Sequence, residues 1–476
     1  MGGPRALFAH VGGMGRAAQR VLRRLDRLMV SAETPSTRQR AGTLIAFRYR
    51  NFRIMWFASL LSSSGTWLQN VAVPFVIFKL TGSGVWLGVA GFLSYAPMVV
   101  TGPYAGWVAD RFHRRTVLIV GGLAQLVLTL ALWIDWVNGE RRVGVIVALL
   151  AANSFAAGFT VASWQAFVTE LVPREHLLNA VTLNSAQFNA ARAFGPAVGG
   201  IVLATLGASW SFFINAMTFV VMLIALLFVH VVRVERARPV GRGRPLAEMW
   251  TAMKYVRTER GIMACMTVVF ALGFLGGPLF NLLVVFADRV YGIGDGAYGL
   301  LAGCMGLGAI IAAPFVAGRG TRMRRSRILS IAMVGYGLAL IALGAAPVAW
   351  LGALALLFAG AGYLGISSTL NTTVQMQVTE SMRGKVLALY VMVLTLAVPL
   401  GSLLQGWLVD IVNVQVTVAG SGLVFLGVFA VLRLGGNAFT SMDDLSRGSL
   451  GQPAPDSQIE LAIAEAESTE AAVDPF

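Results

Sequence analysis

Residues 116–134 read TVLIVGGLAQLVLTLALWI and residues 143–169 read VGVIVALLAANSFAAGFTVASWQAFVT; neither stretch holds a single Lys, Arg, Asp or Glu. An α-helix crosses the hydrocarbon core of a bilayer with about 20 predominantly apolar residues, and each stretch supplies that length. The pattern recurs along the chain. Runs essentially free of charge span 54–78, 80–109, 116–134, 143–169, 177–232, 261–287, 296–318, 328–379, 386–409 and 411–432. Two of them are double length: Gly207-Ala208-Ser209 divides 177–232, and Ala346-Pro347 divides 328–379. Ten runs with two divisions predict twelve transmembrane helices.

The composition supports that reading. Charged residues make up 12% of the chain and hydrophobic residues 57%, where a soluble domain carries roughly 25% charge. No soluble interior hides so much apolar surface, so lipid is the solvent. Glycine is abundant, with 54 copies, as close helix packing in a bilayer favours. Cys265 and Cys304 both lie inside apolar runs and read as packing residues.

Lys and Arg set the orientation, because they concentrate in cytoplasmic connections. With the N-terminus placed inside, Lys79, Arg141, Arg142 and Arg289 are the basic residues of the outer loops. Arg192 lies within a span, and all the remaining Lys and Arg fall on the inner side. Both termini are therefore expected in the cytoplasm. The net charge of +15 is a topology signal rather than a nucleic-acid footprint. The expected organisation is a basic N-terminal segment (1–50), a six-helix half (51–232), a basic linker (233–260), a second six-helix half (261–433) and a disordered cytoplasmic tail (434–476). The linker suits anionic headgroups.

The halves repeat at an offset of about 211 residues. Gly88 falls on Gly299, Asp110-Arg111 on Thr321-Arg322, Gln165 on Gln375 and Val168-Thr169-Glu170 on Val378-Thr379-Glu380. Two related bundles joined by a linker are the architecture of rocking transporters, with the substrate between them.

After span two the chain reads Gly106-Trp107-Val108-Ala109-Asp110-Arg111-Phe112-His113-Arg114-Arg115. Gly106 admits a neighbouring helix, while Asp110 can cap a helix end or pair with Arg111, Arg114 or Arg115, so the cluster can latch one side of the bundle. The stretch resembles the signature between helices two and three of the major facilitator superfamily, with His113 where that pattern has Gly. The second-half copy, Gly318 to Arg325, lacks the acid. Gly195-Pro196-Ala197-Val198-Gly199-Gly200 looks like the core of the antiporter signature of drug/proton exchangers, with Ala191 and Thr182 in place of its upstream glycines. Pro196 bends the helix and Gly195, Gly199 and Gly200 permit tight contact. The run from Gln165 through Glu170, Pro173-Arg174-Glu175, Asn179-Ala180, Asn184 and Arg192 to Pro196 is similar to the branch that includes enterobactin exporters and macrolide efflux proteins. The resemblance covers roughly residues 50–430 and implies an all-α major facilitator fold.

An ionisable residue inside a membrane is a functional candidate. Arg192 is the clearest case: it could hold an anionic substrate, pair with a titrating acid, or bridge helices. Asp110 and Glu170 are the candidates for proton coupling. Gln69, Asn70, Asn184, Gln187, Asn371 and Gln375 are candidates for the cavity wall, and each could equally bond neighbouring helices. No Gly-x-x-x-x-Gly-Lys-Ser/Thr loop is present, and His10, His113, His176 and His230 are scattered. No ATP site, cofactor or metal centre is read, and no enzyme.

The expectation is a monomeric, proton-coupled exporter of an amphipathic small molecule such as a drug or siderophore, set in the cytoplasmic membrane. An importer or uniporter of the same fold, or a non-transporting membrane sensor, fits the same sequence.

Overall fold

The computed structural model describes residues 44–229, 245–293, 295–318, 323–435 and 438–443. The N-terminal segment before 44, linker positions 230–244, the second-half loop at 319–322 and the tail after 443 lie outside the described residues. So do the side chains of Asp110 and Glu380.

Among the described residues, twelve long helices form the bundle. The first group is α1 (Arg50–Thr81), α2 (Gly84–Arg111), α3 (Arg114–Val137), α4 (Val143–Val168), α5 (Leu177–Leu206) and α6 (Ala208–Phe228). A linker helix, α7 (Pro245–Thr258), lies between the groups. The second group is α8 (Arg260–Val290), α9 (Asp295–Ala317), α10 (Arg325–Ala345), α11 (Ala349–Gln377), α12 (Glu380–Ile411) and α13 (Val414–Leu434). α1, α2 and α3 begin at Arg50, Gly84 and Arg114; α8, α9 and α10 begin at Arg260, Asp295 and Arg325, which keeps the sequence offset.

Backbone geometry sets the breaks. α5 gives way to α6 at Gly207, whose φ of 83° suits a residue without a Cβ. The chain runs helical through Lys79 and turns only at Gly82, with φ of 60°. A single lysine at a helix end interrupts hydropathy but not hydrogen bonding, so the sequence runs underestimate α1.

Ten of the twelve helices are long and apolar enough to cross a bilayer on composition alone. The exceptions are α1 and α5. Both are long enough, with 32 and 30 residues, but carry Ser, Asn and Gln along their middles, and α5 also carries Arg192. Such side chains at bilayer depth need a partner or a cavity.

Much of that polarity is satisfied inside the first bundle. Asn215 Nδ2 donates to Gln69 Oε1 at 2.7 Å. Ser59 Oγ donates to Gln187 Oε1 at 3.1 Å, and Gln187 Nε2 donates to Ser63 Oγ at 3.0 Å. Trp164 Nε1 donates to Asn184 Oδ1 at 3.2 Å. These bonds join α1 to α5 and α6, and α4 to α5.

The bundles meet closely at the end remote from Arg111, called the far end below. α2 lies on α12: a Cβ on Gly88 would stand 2.5 Å from the Ser402 carbonyl oxygen, and one on Gly84 2.6 Å from that of Gly406. α5 lies on α9, where Gly200 and Gly299 touch backbone to backbone and a Cβ on Gly303 would stand 2.9 Å from that of Ala197. The repeat partners Gly88 and Gly299 thus make equivalent seams on opposite sides of the axis. At the other end, which holds Arg111 and Arg114, a Cβ on Gly102, Gly106 or Gly384 would meet nothing within 4 Å. The bundles are closed at the far end and parted at the basic end.

Gly200→Val should oppose this arrangement selectively, since overpacking costs about 1–3 kcal/mol only where the backbones touch. That is roughly a fivefold to 150-fold shift in population. Spin labels at Asn138 and Pro347, in far-end loops of the two bundles, should report longer separations in the variant; an unchanged distance distribution would contradict the seam.

Candidate functional site

A cavity of about 640 Å³ lies between the bundles. Its wall comes from α1, α2, α4 and α5 on one side and α8, α9, α11 and α12 on the other. α3, α6, α10 and α13 stay outside it. The lining is mostly apolar, with aromatic rings from Trp67, Tyr95, Phe188, Phe194, Phe280 and Tyr363, and amides from Asn70, Asn189 and Asn281.

Arg192 on α5 is the sole charged residue among the described residues lining it. Its guanidinium sits over the ring of Tyr363 on α11, 4.7 Å from the centroid, and the side chain remains accessible through the cavity. A cation over an aromatic face gains up to about 2 kcal/mol when desolvated. That offsets part of the cost of a charge at this depth. No carboxylate lines the cavity among the described residues.

The amides divide. Asn70 lines the cavity. Gln69 and Gln187 do not: they are 5% and 2% exposed and spend their hydrogen bonds within the first bundle. Asn184 accepts from Trp164. Asn371 and Gln375 bond each other one turn apart on α11, away from the cavity wall. Gln69 and Asn70 are neighbours in sequence, but successive helical residues project about 100° apart.

The glycine motif of α5 packs as a hinge plate. A Cβ on Gly195 would stand 2.5 Å from Trp67 Cβ, and one on Gly199 3.2 Å from Leu68 Cα, both on α1. Gly200 meets Gly299 of the other bundle. Pro196 faces the cavity.

α8 is broken beside the cavity. A π-helical turn at Leu272–Gly276 precedes Gly277-Pro278, and Gln405 Nε2 of α12 donates to the Phe274 and Leu275 carbonyls at 2.9 and 3.0 Å. The amide satisfies acceptors that the irregular turn leaves open. Gly-Gly-Pro is the signal in sequence that marks such a break.

At the basic end, Arg114 Nη1 pairs with Glu170 Oε1 at 2.7 Å and donates to the Ala166 carbonyl at 3.0 Å. Arg115 donates from Nε to Leu226 O at 2.8 Å and from Nη2 to Leu227 O at 3.0 Å. These carbonyls end α6, where a cation is favoured. The loop thus ties α3 to α4 and α6 within one bundle. Gly106 touches no neighbouring helix, since the bundles are parted there.

The far end holds a clasp that sequence reading passed over. Asp410 on α12 accepts from Ser83 Oγ at 2.6 Å, Gly84 N at 2.7 Å and Val85 N at 2.9 Å, so a carboxylate of one bundle caps the first turn of α2 in the other. Arg289 stands 4.0 Å from Asp410, donates to the Gly82 carbonyl, and lies 5.2 Å from the Phe78 ring centroid. Lys79 and Asp288 lie 3.7 Å apart across the same boundary. An aspartate near a helix C-terminus carries no local sequence signal that its partner is a helix start more than 300 residues earlier.

A helical bundle with pseudo-twofold seams, a central cavity and one closed end is a transporter architecture, and sequence comparison names the group. The model for the transmembrane secretion effector family matches residues 41–465. The chain belongs to this family of the major facilitator superfamily. Among its relatives, the enterobactin exporter EntS of Citrobacter koseri is 26% identical over 81% of this chain and 92% of its own length. The EntS protein of Salmonella typhimurium is 25% identical over the same shares of the two chains. Among solved structures, the nucleoside transporter NupG superposes with a TM-score of 0.65 at 14% identity, covering 83% of this chain and 99% of that one. A bacterial homologue of the human lysosomal transporter Spinster, inward-facing and unoccupied, gives 0.63 at 14% identity over 85% and 99%. At such identities the structures establish the fold. The chain is therefore a multi-pass membrane transporter of a small molecule, in a family of transporters rather than enzymes.

Two predictions separate the roles of these residues. Gln69→Ala should lower the Tm through loss of about 1 kcal/mol of buried hydrogen bonding, while Asn70→Ala should leave the Tm in place and change ligand affinity; the reverse pattern would contradict the cavity assignment. Asp410→Ala removes charge-assisted hydrogen bonds worth about 1.5–3 kcal/mol from the far-end clasp. With Cys265 and Cys304 replaced by Ser, a Ser94→Cys reporter in the cavity should react with an impermeant thiol reagent applied at the far end at least ~10-fold faster in the Asp410→Ala background. An equal rate would show that the clasp does not hold the end shut.

Proposed function

We propose that this protein is a proton-coupled exporter of an amphipathic small molecule, working by alternating access in the cytoplasmic membrane as a monomer with both termini inside. The observation that carries the reading is a cavity sealed at the far end and parted at the basic end. Basic residues concentrate in cytoplasmic connections, so the parted end faces the cytoplasm and the cavity takes its cargo from that side. Similarity to enterobactin exporters over most of both chains supports outward transport, as does the antiporter-like Gly195-Pro196 stretch of α5.

The rocking step follows from the contacts. Gly84, Gly88 and Gly200 let the bundles pivot together at the far end, and the Asp410 clasp holds that state. Release of the clasp and closure near Gly106 give the opposite state, with Asp110 and Arg111 as the latch. Glu170, together with Asp110, is the proposed coupling carboxylate: its ion pair with Arg114 joins α4 to α3 at the basic end, and protonation would free that arginine.

The test is luminal pH in energised inside-out vesicles containing the purified protein, as candidate drugs and siderophores are added. Export coupled to protons raises the luminal pH for some compounds, and Glu170→Gln abolishes the rise. No response to any compound, in vesicles where a control exporter responds, would remove proton-coupled efflux and leave import or sensing.

A further inference from the structure

The chemistry of the cavity narrows its cargo. A bound ion inside a low-dielectric wall needs an opposite charge or several oriented dipoles. The wall offers one cation, Arg192, and no carboxylate among the described residues. A cationic substrate would meet like charge and no counter-ion. A neutral aliphatic one would leave the guanidinium without an anion. An anion gives Arg192 the ion pair that the cavity itself lacks.

Ring placement adds a second requirement. Arg192 rests against the face of Tyr363, 4.7 Å from its centroid, and the two residues belong to different bundles. Trp67 and Phe280 form a second cross-bundle pair, edge to face at 5.7 Å. Both pairs line the same cavity. A planar aromatic ligand can stack on Tyr363 with its acidic group turned to Arg192, touching α5 and α11 together. A guanidinium presents a planar fork that matches a carboxylate with two parallel hydrogen bonds. Asn70, Asn189 and Asn281 supply donors and acceptors for further polar substituents.

We infer that the transporter selects amphipathic aromatic anions, with Arg192 holding the acidic group and Tyr363 the ring. The inference rests on the transport reading of this cavity and gives it a charge sign. Because Arg192 and Tyr363 already bridge the bundles, the ligand replaces a contact between them rather than filling an inert space. Arg192 is thereby a specificity residue, and its effect is on which charge binds.

Three probes of one ring system isolate that effect: 2-naphthoate, 2-naphthylmethylammonium and neutral 2-naphthalenemethanol, titrated calorimetrically into the purified full chain in detergent. The carboxylate should bind at least ~10-fold more tightly than the ammonium. Arg192→Gln should abolish that preference while the alcohol still binds, which shows the cavity intact. Arg192→Lys should keep the preference in reduced form. Equal binding of the two ions, a preference that survives Arg192→Gln, or no binding of any probe to the unmodified chain would overturn the proposal. Proteoliposome flux separates the two readings: naphthoate that binds but never moves refutes the exporter and leaves the charge selection standing, whereas flux of the ammonium with none of the naphthoate refutes the charge selection alone.

Discussion

The bundle depends on how closely two pairs of helices approach across its pseudo-symmetry axis. α2 meets α12 through Gly84, Gly88 and Gly406, and α5 meets α9 through Gly200 and Gly299. In lipid there is no hydrophobic force between helices, so association rests on van der Waals contact, and contact improves as backbones approach. Glycine is the residue that permits this, and it does so at the same height in both seams. Everything on the far side of the cavity follows: the closed end, the edge-to-face contact of Trp67 with Phe280, and the reach of Asp410 to the first turn of α2. A Cβ at any of these positions would hold the bundles apart.

Polar groups in the membrane are managed in two ways here. Most are consumed locally, as when Gln69 meets Asn215 or Gln187 meets Ser59 and Ser63. These bonds tie the helices of the first bundle together. Arg192 and Asn70 instead face the cavity, where they stay available. The same division appears at the two ends. Arg114 and Arg115 bond inside one bundle, while Asp410 and Arg289 bond across the boundary.

The irregular α8 belongs to the same economy of contacts. Its π-turn and Gly-Gly-Pro sequence break the helix beside the cavity, and Gln405 compensates the open carbonyls. The Tyr336 hydroxyl packs against Gly276 at that break, with its ring edge to face on Phe425 at 5.3 Å. The break therefore keeps the Phe274 and Leu275 carbonyls satisfied beside the cavity, while the Tyr336 hydroxyl and Gln405 Oε1 are buried there without a hydrogen-bond partner among the described residues.

The sequence by itself determined the membrane class, the number of spans, the offset repeat and the family resemblance. These depend on hydropathy, charge and local spacing, which are written along the chain. It also singled out Arg192, because one charge in an apolar span is conspicuous at any register. It did not separate Gln69 from Asn70, or Gln187 from Asn189. When every face of a helix is apolar enough for lipid, periodicity does not say which face turns inward. Nor did it find the Asp410 clasp, whose partners are backbone amides of α2 that any sequence would possess. Those assignments are decided by how twelve helices pack, since that alone fixes which polar groups meet one another and which are left to meet a ligand.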